Sequence, residues 1–297
     1  MTESNARTVE RVVTAHRQTE GGGFIVRRPF PAGEIDSVDP FLLLDEMGPI
    51  TYGAGEALGA PDHPHRGFVT VTYMLEGEFE HADSAGHRGR IGPGDVQWMT
   101  AGRGIVHSEM PSRRIQEHGG RVHGFQIWVN LPAKDKMIQP RYQEIRSEAL
   151  PILALDEGRA QAKLIAGGLL GTSSRIDTQT PIVYHDWTLH PGGSVEVPYP
   201  EDLNLLLYVF QGALAVGTEQ RVVGDGQMAI LSPGSCVVLR NQGPGSVRFL
   251  LLGGEPLEEP VARYGPFVMN TQAEIRQAVA DFQSGRLAQI TRDARTD

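Results

Sequence analysis

His63-Pro64-His65 opens, and His107-Ser108-Glu109 closes, the stretch on which the reading of this chain turns. In an extended strand residues i and i+2 point to the same face, so each triplet presents its two outer side chains, all four of them metal-ligand types, on one side. Two such pairs can converge on one ion. Between them Val69-Thr70-Val71-Thr72-Tyr73-Met74-Leu75 is rich in β-branched residues, Glu76-Gly77 reads as a turn and Gly92-Pro93-Gly94-Asp95 as another, the cadence of short antiparallel strands. Three imidazoles and a carboxylate on such strands describe a small β-barrel around one transition-metal ion, with coordination positions left open for substrate or oxygen. A lone His-x-His is common without any metal; the second pair at matching spacing sets this one apart. Pro64 cannot donate to a ladder and so predicts an edge, a strand start or a bulge, where side chains are re-aimed.

The whole composition agrees. The chain has 297 residues, enough for one or two domains, and its 36 glycines and 20 prolines suit many short strands joined by tight turns. A formal net charge of −9 with no dense Lys/Arg cluster offers nothing for a nucleic-acid backbone, so direct DNA binding is not expected. Cys236 is the one cysteine; no intrachain disulfide can form, and the residue reads as a small apolar filler of a strand. The polar start, Met1 to Arg7, lacks an apolar leader core, and no run of about 18 apolar residues exists. The expectation is a cytoplasmic protein without membrane contact.

Upstream of the ligand stretch, residues 9–13 and 24–26 read as short strands around Gly21-Gly22-Gly23, and Asp39-Pro40-Phe41-Leu42-Leu43-Leu44-Asp45-Glu46 reads as a buried strand whose two acids suit either acid/base work or a solvated turn. Residues 53–59 are glycine-rich but lack phosphate-loop spacing. Past the ligands, Val69, Val71, Tyr73 and Leu75 share the parity of His63 and His65; if alternation persists, they wall the metal with apolar side chains. Phe125-Gln126-Ile127-Trp128-Val129-Asn130-Leu131 alternates as a strand should, and the polar run 132–146 reads as a connector dividing the chain into domains at 1–140 and 141–297.

The second half carries a faint repeat of the first. Tyr73-Met74-Leu75-Glu76-Gly77 matches Tyr208-Val209-Phe210-Gln211-Gly212, and Gly94 to Gly102 matches Gly226 to Gly234 in spacing. Counting back from the tyrosines sets Pro198 and Pro200 at the positions of His63 and His65, and counting forward from the glycines sets Leu239 and Asn241 at those of His107 and Glu109. The copy is expected to lack a metal site, with His185 and His190 as ordinary strand or turn residues. Near the C-terminus Thr271-x-x-Glu274 forms a capping box before Ile275, Val279 and Phe282, an amphipathic helix stopped at Gly285. The tail from Thr291 is expected to fray.

With these residues in view the chain resembles the pirins of the cupin superfamily. The strings that carry the resemblance run from Asp39-Pro40-Phe41 through Asp62-His63-Pro64-His65-Arg66-Gly67-Phe68, Gln97-Trp98-Met99-Thr100-Ala101-Gly102-Arg103-Gly104 and His107-Ser108-Glu109-Met110-Pro111 to Tyr264-Gly265-Pro266-Phe267-Val268-Met269-Asn270. The resemblance implies an all-β chain of two cupin-type β-barrel domains with a C-terminal helix. It also implies one Fe(II) per chain, in the N-terminal barrel, on His63, His65, His107 and Glu109; Zn, Mn, Ni, Co or Cu are alternative occupants. Where cupins commonly add a glutamate four residues after the His-x-His, this chain has Val69.

The function so implied is a quercetin 2,3-dioxygenase-like oxidoreductase, with Glu109 doubling as catalytic base. Its partner would be a small aromatic substrate such as a flavonol, and the chain is expected to be a monomer. The alternative is a non-catalytic, metal- or redox-dependent regulator that binds a transcription factor or a metabolic enzyme. Asp62 and Arg66, flanking the ligand pair, suit orientation of the ligands or plain solvated loop charges. Ser108 should point away from the metal, which disfavours a hydrolase nucleophile.

Overall fold

Phe68–Glu76 is the centre of the first unit: its β-branched alternation pairs antiparallel with Val96–Thr100 on one side and Gly120–Asn130 on the other. In the computed structural model, which describes residues 5–288 and Ile290, these strands belong to a seven-stranded sheet that continues through Phe41–Tyr52, Phe24–Phe30 and His16–Glu20. A four-stranded sheet carries the ligand strands in the order Ala60–His65, Ile105–Pro111, Phe79–Asp83, Arg88–Ile91. The chain is all-β apart from short helical turns, a six-residue helix at Arg113–His118 and the C-terminal helix. No helix of the described residues is long and apolar enough to cross a membrane.

The step from the ligand strand to the next strand overturns the parity expected for the site. Residues 66–67 carry the chain from one sheet to the other, and Gly67, at φ 89°, is where it turns; a Cβ there would collide with the Val268 carbonyl. Alternation therefore does not continue. In antiparallel pairing directly opposed residues share a face, and Thr72 opposes Gln126 while Thr70 opposes Trp128. Thr72 and Gln126 both bond Glu109. The face turned to the site is thus the even one, and Val69, Val71 and Tyr73 are buried on the other side.

Phe41–Tyr52 is buried as expected, but Asp45 and Glu46 lie in no turn. Both are buried, Asp45 in a bidentate pair with Arg28 at 2.6 Å and Glu46 held by Arg27 and His123. Buried charge survives in a core when it is paired and hydrogen-bonded. The expected connector 132–146 is likewise largely structural: Arg141–Ile145 is the edge strand of the seven-stranded sheet beside Val96–Thr100. Lys136 is buried, its Nζ donating to the Gly67 carbonyl, Asn130 Oδ1 and the Val268 carbonyl.

The units do not divide at residue 140. One comprises Arg17–Arg28, Phe41–Ser147 and the chain from Glu258 on; the other comprises the chain up to His16, Pro29–Pro40 and Glu148–Leu257. Each end of the chain is traded to the opposite unit. Val9–Thr14 pairs with Gln227–Leu231, and the hairpin Ala262–Tyr264/Phe267–Met269 packs in one apolar cluster with Val106, Ile275 and Ala278. Helix Gln272–Gln283 has its capping box, Thr271 Oγ1 with the Glu274 amide and the Glu274 carboxylate with the Thr271 amide. Its buried face is Ile275 and Ala278, whereas Phe282 stays exposed. The tail from Thr291 lies outside the described residues, as do Met1 to Ser4 of the polar start.

The second unit repeats the two-sheet plan: a seven-stranded and a four-stranded sheet share one apolar cluster. Phe68–Glu76 ending at Gly77 and Asn204–Gln211 ending at Gly212 are the matching strands, with φ of 84° and 81° at the two glycines. The ligand register, however, needs correcting. His107 opposes His63 in the first unit, and Leu239 opposes Val195 in the second. The equivalents of His63 and His65 are therefore Val195 and Val197, not Pro198 and Pro200. Residues 66–67 link the strands in one unit and residues 199–203 link them in the other, so counting back from the tyrosines slips by the difference. Val195, Val197 and Leu239 all belong to the apolar core, and Asn241 is buried against the Leu189 and Gly245 carbonyls.

Candidate metal centre

The pairing of Ala60–His65 with Ile105–Pro111 sets His63 directly across from His107 and His65 across from Ile105. Three imidazoles meet there, with ring centroids 4.4 to 4.9 Å apart. One ring nitrogen from each lies within 4.8 Å of the others, a group that can hold a metal ion. His65 and His107 are buried and His63 is partly open. Pro64, inside the ligand strand, opposes Val106.

Two observations fit this cluster to a metal. Both ring nitrogens of His107 are buried without a hydrogen-bond partner, a costly state that ligation would relieve. His63 Nδ1 lies 2.7 Å from the Pro61 carbonyl; that nitrogen carries the proton and donates, which leaves Nε2 as the ligating atom. Burial lowers His107 to about 3, with Glu109 opposing the shift. Burial and the neighbouring His63 and His107 hold His65 well below its ordinary value. Both stay neutral, the form a metal requires.

Glu109 stands two residues beyond His107, but a bulge separates them in the pairing with Ala60–His65, and Glu109 is not one of the three converging ligands. Its Oε1 accepts from Thr72 Oγ1 at 2.7 Å and its Oε2 from Gln126 Nε2 at 2.9 Å. Burial pushes this carboxyl up, but His107, Thr72, His63 and Gln126 together hold it below its usual range. It is an oriented, ionised carboxylate with a lone pair still available on each oxygen. Ser108 opposes Ala82 and lies on the other face of the strand, as expected.

The flanking charges separate. Asp62 is exposed and lines the neighbouring cavity. Arg66 is buried and committed elsewhere, its Nε to the Arg103 carbonyl and its Nη1 to Asp281 of the C-terminal helix. The cavity itself measures about 430 Å³, within the range of small-molecule sites. His63 and His65 form one wall; Leu43, Asp45, Gln126 and Trp128 form the floor; Arg263, Gly265 and Pro266 come from the C-terminal hairpin. Gly265 and Pro266 stand in a string that carries the family resemblance, but nothing in the sequence set the hairpin at this cavity, because its place depends on a segment far along the chain folding back. Gln126 and Trp128 share one parity in their strand, a pattern that could have marked them.

His185 and His190 are not a relocated site. His185 Nδ1 meets the Tyr199 hydroxyl and His190 Nδ1 meets Ser246 Oγ. Burial lowers His185 to about 3 as well. The unfolded chain takes these protons near 6.5. Stability from keeping His107 and His185 neutral is therefore complete above about 6.5 and is lost as pH falls toward about 3, at about 1.4 kcal/mol per pH unit per group. Metal-free protein should melt at steadily lower temperature across that window, and His185→Leu should make the decline shallower. An unchanged slope in calorimetry would refute the assignment.

Comparison with known proteins agrees with this arrangement. The pirin family model matches residues 23–129 and the model of the pirin C-terminal cupin domain matches residues 184–288. A pirin-like protein of Solanum lycopersicum is 46% identical over 95% of this chain and 94% of its own length. Pirin of Homo sapiens is 41% identical with the same coverage of both. Among solved structures, a quercetin 2,3-dioxygenase from Acinetobacter baumannii superposes with a TM-score of 0.90 at 38% identity, covering 96% of this chain and all of that one.

Proposed function

The chain belongs to the pirin family, and on that premise we propose that it is a mononuclear non-haem iron dioxygenase that opens flavonols of the quercetin type. The observation that carries this reading is the meeting of three imidazole ligands at the wall of a cavity of about 430 Å³. The similar Acinetobacter baumannii protein, solved as a quercetin 2,3-dioxygenase, supports it.

His63, His65 and His107 would hold one Fe(II), with Glu109 as fourth ligand; a mixed nitrogen and oxygen set of this kind also accepts Mn, Co, Ni, Cu or Zn. A bound iron supplies Lewis acidity and open positions for substrate oxygen and dioxygen. The chain's own residues do the rest. Thr72 and Gln126 hold the Glu109 carboxylate ionised and aimed, so it can take the proton of an acidic enol hydroxyl as the substrate docks. Trp128 and Leu43 give a planar substrate an apolar floor that excludes water.

The test is oxygen consumption with chromatographic detection of the cleaved flavonol by iron-loaded protein. Glu109→Gln keeps the volume and can still bond both Thr72 and Gln126. It should retain metal within about tenfold in affinity while lowering turnover by about 100-fold or more, the usual worth of a positioned base. Iron-loaded protein that consumes no oxygen with any flavonol or catechol, yet binds a protein partner only when iron is present, would replace this reading with a regulatory one.

A further inference from the structure

The cavity has a second polar pole besides the histidines. Arg28 binds Asp45 through Nε and Nη2, both at 2.6 Å, and Glu20 through Nη1 at 2.8 Å. All three line the cavity. The lining holds three carboxylates, Glu20, Asp45 and Asp62, against two guanidiniums, Arg28 and Arg263, the second of which also acts on Asp45, so a surplus of negative charge remains; Asp45 is buried while Glu20 is a third exposed. Each Asp45 oxygen takes one bond from Arg28 and keeps a lone pair. Burial raises the Asp45 carboxyl to about 6 against the pull of Arg28, so it is ionised near neutrality. Trp128, beside His65, adds a flat surface, its indole carrying the Arg263 guanidinium 4.8 Å from the ring centroid.

Asp45 opposes Gln126 on the neighbouring strand, and Gln126 bonds Glu109. One sheet face therefore carries both poles at fixed separation on rigid strands. A ligand filling the cavity meets the metal-ligand wall and, on the strands that follow Gln126 in the sheet, the acceptor-rich triad.

Building on the flavonol reading, we propose that the Glu20–Arg28–Asp45 triad is a specificity subsite that takes hydroxyl groups on the ring of the substrate remote from the metal and rejects a carboxylate there. The favoured class is a neutral planar aromatic with hydrogen-bond donors at its far end. An aromatic acid is excluded by the same charge that binds a phenol.

The test is binding to zinc-reconstituted protein, followed by flavonol absorbance and isothermal titration. The probes are a flavonol with an unsubstituted pendant ring, one with two pendant hydroxyls, and one with a pendant carboxylate. Wild type should bind the dihydroxy probe about tenfold more tightly than the unsubstituted one, as a hydrogen bond to a charged acceptor allows, and the carboxylate probe at least tenfold more weakly than the dihydroxy one. Asp45→Asn should cut the hydroxyl preference to below about threefold. Glu20→Gln, at a more exposed position and so safer for folding, should relax the penalty against the carboxylate by about threefold. If all three probes bind wild type equally, or if both preferences survive in the two variants, the subsite is overturned while the flavonol reading stands. If no probe binds, the flavonol reading falls and takes the subsite with it.

Discussion

His107→Ala is expected to empty the metal centre. His107 is fully buried, faces His63 directly across the strand pair, and has no other partner for either ring nitrogen. Loss of one of three converging imidazoles should exceed the roughly 10- to 100-fold cost of removing an outer partner of a ligand. Protein purified after iron or zinc loading should carry about one metal per chain in wild type and less than about a tenth of that in the variant, a loss beyond 100-fold in affinity. Elemental analysis reads the result directly. His185→Leu is the control: the second unit has Val195, Val197 and Leu239 where ligands would stand, so its metal content should not change. Full occupancy in His107→Ala, or loss in His185→Leu, would sink the assignment.

Lys136→Met should destabilise the unit that carries the histidines more than any single surface change. The ammonium is buried and holds two carbonyls, Gly67 and Val268, together with Asn130 Oδ1. Methionine fills the space and bonds none of them. Stranding buried acceptors around a lost charge costs about 3 to 5 kcal/mol, or about 10 °C in melting temperature for a unit of this size. Burial also lowers Lys136 to about 8. Between about 8 and 10.5 the unfolded chain holds a proton that the native state has released. Wild type should accordingly gain stability as pH rises through that window, and Lys136→Met should not. A variant that melts like wild type at pH 7 would contradict the role given to these three bonds.

Lys136 also shows where sequence reasoning stopped. A Lys-Asp-Lys run among prolines has the composition of a linker, and only the return of the C-terminal hairpin, which supplies the Val268 carbonyl, turns it into a buried anchor. The histidines were legible because i, i+2 spacing is a local property of strands and survives any tertiary arrangement. The wall around them was not. Alternation from His65 into Val69 fails at Gly67, where the chain changes sheets, and no pattern confined to one strand can show such a corner. The repeat was visible at Tyr73 and Tyr208, yet the ligand equivalents slipped, since a loop may lengthen without disturbing the strands on either side. Cross-strand partners, which composition does not encode, decided Val195 against Pro198. Asp45 and Glu46 read as either acid/base groups or a solvated turn because the arginines that pair with them, Arg27 and Arg28, lie on a strand that periodicity left short.

The exchange of chain ends between the two units bears on biogenesis. Arg263, Gly265 and Pro266 close the cavity beside the histidines, and a ribosome makes them only after the entire second unit has been threaded out. Until then the part of the cavity lining that these three residues supply is missing beside His63 and His65. Metal captured from the cell during synthesis would meet an open, less selective site than metal captured after release. The choice of ion is thereby coupled to the synthesis of the hairpin that carries Arg263, Gly265 and Pro266, and a ribosome stalled before codon 258 should hold a nascent chain that exchanges its metal freely.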